Sequence, residues 1–68
     1  MSIYEKARAY IDENGFDYVV IAQKANIPIT AFEAILHGKQ PMYAEDLKHI
    51  CEALSISPET LIEQKITA

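Results

Sequence analysis

The chain predicts an all-α fold, five short helices around one small core, and three observations carry that reading. Apolar residues recur at helical spacing, most clearly Leu47, Ile50, Cys51 and Leu54 at i, i+3, i+4 and i+7. Helix-start residues stand ahead of the apolar stripes, and glycine or asparagine stands behind three of them. No segment alternates with the period of a strand, and no repeat or low-complexity stretch occurs.

The first helix starts at Ser2, because Ser2-Ile3-Tyr4-Glu5 has the spacing of a capping box, and it ends at Asn14-Gly15. Its stripe is Ile3, Ala7, Tyr10 and Ile11, with Glu5, Arg8, Asp12 and Glu13 largely outside it. The second helix is capped by the Asp17 carboxylate, and Phe16 and Ile21 have the spacing of a hydrophobic staple. Ile21, Ala22 and Ala25 form its inner face, with small Ala22 allowing close approach of the next helix. The chain reverses at Asn26, a residue that tolerates the left-handed conformation. Pro28 suits the first turn of the third helix, which buries Phe32 and Ile35 and closes at Gly38. Lys39 to Tyr43 is a loop, the fourth helix carries the Leu47 stripe, and the fifth opens with the staple, cap and proline of Ile56-Ser57-Pro58-Glu59-Thr60-Leu61.

Sixty-eight residues make one domain, 1–68. Domains this small bury only about 60% of their unfolded surface, so homodimerisation is expected as a source of further stability. Half of the residues are hydrophobic, with two glycines and three prolines, a composition of a packed chain and not of a disordered one. No apolar run approaches the roughly 20 residues needed to span a bilayer, and no leader pattern follows Met1, so a cytoplasmic protein without a membrane partner is expected. A single cysteine, Cys51, excludes an internal disulfide.

Together the Ile21-Ala22 pair, the turn at Asn26-Ile27, the apolar positions Phe32 and Ile35, Gly38-Lys39, and the run from Ala44 to Leu54 followed by Ile56-Ser57-Pro58-Glu59 resemble the Cro and lambda-repressor type of helix-turn-helix domain, also called the xenobiotic-response-element family. The likeness covers nearly the whole chain, with the helix-turn-helix itself at about residues 17–37. Two departures stand out. Tyr18 and Asn26 stand where the family often has glutamine and glycine. A family pair of arginine late in helix one and glutamate near the end of helix three aligns with Ile11 and Leu36, both apolar here. Replacing both partners of a buried ion pair by apolar residues can be neutral or stabilising, whereas replacing one strands a charge.

The resemblance implies a sequence-specific DNA-binding regulator, a bacterial or phage repressor acting as a dimer on a palindromic operator, with no enzymatic activity, no cofactor and no metal. The third helix would enter the major groove, and its outward set is Pro28, Ile29, Thr30, Glu33, Ala34 and His37. Ile29 and Ala34 suit thymine methyls, Thr30 a base or phosphate, and Glu33 a cytosine amino group. Tyr18, Gln23, Lys39, Gln40 and Tyr43 are the phosphate candidates, although Tyr18 equally suits a place over the core edge and Lys39 a solvated loop. Ile62 and Ile66, four apart, either form a dimer surface or close the core.

Charge and chemistry set the alternatives. Net charge is −4 with a pI near 4.9, against the basic balance usual in nucleic-acid binders. The runner-up is therefore a protein-interaction module on the same fold, using an apolar face around Val19, Val20 and Ile29 to bind a protein partner. Glu33 and His37, four apart, read as a surface pair because no third ligand has suitable spacing, and His49 and Cys51 point to different sides of their helix.

Overall fold

A computed structural model describes residues 2–63. The helices are α1 (Ile3–Glu13), α2 (Tyr18–Ala25), α3 (Ile29–Leu36), α4 (Ala44–Leu54) and α5 (Pro58–Ile62), with no strand among the described residues. All five expected helices are present in the expected order.

Helix starts are fixed by carboxylates and hydroxyls. The Glu5 carboxylate accepts the Ser2 backbone N–H at 3.2 Å and the Ser2 hydroxyl at 2.8 Å. Those two bonds, the hydroxyl first, hold the Glu5 carboxyl below its ordinary value. Asp17 accepts the Val19 N–H at 2.8 Å, and Ser57 Oγ accepts the Thr60 N–H at 3.2 Å ahead of Pro58. At α4, Asp46 reaches back to the Tyr43 N–H at 3.1 Å. Pro28 differs from expectation by one position. It is the N-cap of α3, with extended backbone (ψ 140°), because the tight reversal at Asn26 leaves Ile27 and Pro28 to carry the chain across before α3 winds.

Four helix ends share one device. A residue with φ between 59° and 74° follows each of α1 to α4: Gly15, Asn26, Gly38 and Ser55. In each case its N–H and the next one bond back to the helix's last free carbonyls, as with Gly38 N–H to Ile35 O at 3.2 Å and Lys39 N–H to Ala34 O at 2.9 Å. Ser55 has no sequence signal for this conformation, and a β-carbon costs roughly 1–2 kcal/mol there. Ser55→Gly is therefore expected to raise unfolding free energy by about 1 kcal/mol, read as a higher urea midpoint at unchanged slope. A lowered midpoint would mean that the Ser55 side chain contributes something its backbone strain does not outweigh.

The core lies between α2, α4 and the inner faces of α1, α3 and α5, with the most extensive packing between α2 and α4. Phe32, Ile11, Ile35, Leu36, Ile50 and Leu61 are fully buried, and no polar residue is buried among the described residues. Cys51 is a buried free thiol whose burial pushes its pKa up, and His49 is exposed, as their spacing implies. Two cations of α1 serve the ends of other helices. Arg8 Nη1 donates to the Leu36 carbonyl of α3 at 3.0 Å, and Lys6 Nζ donates to the Ile62 carbonyl of α5. No single helix among the described residues is long and apolar enough to cross a membrane.

Candidate nucleic-acid interface

The axes of α2 and α3 turn through 107° at the break between them, within the range of helix-turn-helix motifs. Ile21, Ala22 and Ala25 of α2 and Phe32, Ile35 and Leu36 of α3 are buried between them and the rest of the core, so the remaining face of α3 is left to solvent. On that face Thr30, Glu33, Ala34 and His37 line one open groove of about 200 Å³, and Lys39 joins them. Lys39 arrives there because the positive φ of Gly38 folds the chain back, placing the Lys39 N–H on Ala34. Ile29 lies elsewhere: it is half-buried and packs against the core at the N-terminal end of α3.

The phosphate candidates separate into three places. Gln23 is exposed beside the turn, lining a hollow of about 380 Å³ with Ala22, Asn26, Ile27 and Pro28. Gln40 follows Lys39, its N–H on Ala34 O at 3.3 Å, and Tyr43 is 66% exposed at the start of α4. Tyr18 packs its ring edge-on against Phe32, centroids 6.1 Å apart, and its hydroxyl donates to Asp12 Oδ1 at 3.0 Å. It therefore covers the core edge, with a carboxylate already on its hydroxyl.

Burial, then the Asp12 hydrogen bond, pushes the Tyr18 pKa up to about 12 from an ordinary 10.0. A raised folded-state value means that the contribution to stability is complete below pH 10 and is lost as pH rises toward 12. Alkaline absorbance titration should show one of the four tyrosines ionising late, and that phase should be missing in Tyr18→Phe. A single transition near pH 10 for all four would contradict this geometry.

The charge around the groove differs from what α3 alone displays. Arg8 of α1, one turn before Ile11, lies with Nη1 3.4 Å from His37 Nδ1 as well as on the Leu36 carbonyl. Thus the expected Glu33–His37 pair is not what the imidazole faces; its Nδ1 is turned to Arg8. Arg8 and Lys39 both stand at the C-terminal end of α3, where the helix dipole is negative and favours cations. Sequence reasoning missed Arg8. The one available signal was its position a turn away from the residue that aligns with the family's arginine.

Elsewhere, Phe16, Val19 and Val20 are 40%, 47% and 43% exposed, and Phe16 and Val20 share a groove of about 420 Å³ with Asp17, Lys24 and the end of α4. Ile62 is 46% exposed, and Ile66 lies outside the described residues. No three histidine, cysteine, aspartate or glutamate side chains among the described residues come together as a metal site.

No curated protein and no solved structure matches the chain. The model of one protein family does, over residues 8–65, from Arg8 in α1 through the whole of α5. With the 107° helix pair and the solvent face of α3 in place, the chain belongs to the family of Cro/C1-type helix-turn-helix DNA-binding domains.

Proposed function

We propose that the protein is a sequence-specific transcriptional regulator of bacterial or phage origin that represses by occupying an operator in the cytoplasm. Two copies would set their α3 helices about 34 Å apart on one face of a palindromic site. The observation that carries this reading is the groove on the exposed side of α3, where Thr30, Glu33, Ala34 and His37 meet Lys39. A hydroxyl, a carboxylate, a methyl and an imidazole offer base edges a donor, acceptors and an apolar contact, while Lys39 and the neighbouring Arg8 supply positive charge. Gln23, Gln40 and Tyr43 are the remaining backbone contacts in this arrangement, Ile29, half-buried at the N-terminal end of α3 and outside the groove, offers its remaining surface to a thymine methyl, and Ile62 with Ile66 is the candidate dimer surface. No catalytic step is involved.

The test is an anisotropy titration against the DNA flanking the protein's own coding region at two salt concentrations. Lys39→Ala is expected to weaken binding to all sequences and to lower the salt slope by about 1. Thr30→Ala is expected to cost about 5-fold on the specific site at unchanged slope, the equivalent of one hydrogen bond of about 1 kcal/mol. No binding by the folded wild type at low salt would discard the regulator reading.

The exposed Phe16, Val19 and Val20 favour a second reading, a domain whose partner is a protein. Ile29, which this reading also uses, is half-buried at the start of α3 and does not line the groove shared by Phe16 and Val20. The two readings separate on Val20→Asp: it leaves DNA binding intact under the first and abolishes partner binding under the second.

A further inference from the structure

Arg8 holds the end of α3 from outside it. Its guanidinium donates to the Leu36 carbonyl at 3.0 Å, one of the acceptors that a helix leaves over at its C-terminal end, and stands 3.4 Å from His37 Nδ1. Guanidinium offers only donors and keeps its charge in proteins. A proton on Nδ1 would set two N–H groups head to head, so the uncharged imidazole carries its proton on Nε2. His37 also lines the α3 groove. With Nδ1 committed to Arg8, the nitrogen it has left for a base edge is the donor Nε2–H.

In the major groove guanine presents two adjacent acceptors, N7 and O6. Adenine sets a donor beside its N7, thymine a methyl beside its O4, and cytosine offers a donor alone. A lone imidazole N–H is therefore best satisfied by guanine. We propose that Arg8 is a positioning residue for base reading: by occupying His37 Nδ1 it fixes the imidazole as a donor that selects guanine. The proposal rests on the DNA-binding reading above. Without the guanidinium, the ring is free to place an Nδ1–H on Glu33, four residues earlier on the same helix face, and the fixed donor is lost.

Two measurements test this. Nitrogen NMR of the 15N-labelled wild type at about pH 8, above the ordinary imidazole range, should show His37 with its proton on Nε2. Selection of bound duplexes from a randomised pool should give the wild type a guanine at one position, preferred about 5-fold, the worth of one hydrogen bond. His37→Ala and Arg8→Met should both flatten that position alone, and Arg8→Lys, which also has only donors, should keep it.

An Nδ1–H tautomer in the wild type overturns the proposal, and since it uses the unaltered chain it does so even where Arg8→Met fails to fold. So does an Arg8→Met variant that binds all sequences more weakly with its base preferences unchanged, which leaves the regulator reading standing. A wild type that selects no sequence at low salt overturns both.

Discussion

Phe32→Ala is expected to remove about 3–5 kcal/mol of unfolding free energy, the usual cost of truncating a fully buried phenylalanine. Phe32 is the largest side chain buried in the structure, with none of its surface exposed. Its loss is felt in two ways. The ring anchors the inner face of α3 in the core, and it is also the surface against which Tyr18 packs edge-on at 6.1 Å. Edge-to-face aromatic pairs add about 0.5–1.5 kcal/mol beyond the area they bury. Domains have only about 0.05–0.15 kcal/mol of stability per residue, or roughly 3–10 kcal/mol for a chain of this length. The variant should therefore be largely unfolded in mild urea, and a denaturation curve with the wild-type midpoint would refute this packing of α3. Tyr18 provides an independent check, because loss of its shelter should return its ionisation from about 12 toward 10 in whatever folded fraction remains.

The link from sequence to fold is readable here wherever the signal is local. Gly15, Asn26 and Gly38 announce their left-handed helix ends because those residue types carry little or no penalty at positive φ. Ser55 adopts the same geometry unannounced: the packing of Leu54 and Ile56 on either side of it imposes the turn on a residue that does not prefer it. The α4 start was similarly obscure, since Asp46, three residues inside, serves as the acceptor and Tyr43 does not advertise a cap.

Much of the candidate site is legible for the same reason. Thr30, Glu33, Ala34 and His37 share a face by helical period, and the structure gathers those four with Lys39. What could not be read is pairwise and distant. Arg8 meets Leu36 and His37 across 28 and 29 positions, and no periodicity connects them. Tyr18 meets Asp12 across a turn whose direction depends on the Gly15 conformation. Charge counted along α3 alone falls short for the same reason, because it omits the cation that α1 delivers to its end.

The second large effect concerns Ile11 and Leu36, both with no exposed surface and both in the one core. Ile11→Arg should cost about 3–5 kcal/mol, because a buried charge without a partner keeps its full desolvation cost. Leu36→Glu should cost less than Ile11→Arg. Arg8 already lies 3.0 Å from the Leu36 carbonyl, so a cation stands at the same helix turn for the new carboxylate to approach. The double variant places opposite charges on α1 and α3, two helices that pack against each other. It should be more stable than the sum of the singles by about 2–3 kcal/mol, the upper range of coupling between contacting residues. It should still fall short of the wild type, since apolar partners of matched size are as good as or better than a buried ion pair. Urea denaturation of the four proteins measures this cycle. Additive losses would show that positions 11 and 36 do not meet. A double variant more stable than the wild type would show that the apolar pair is a concession and not the better solution for this core.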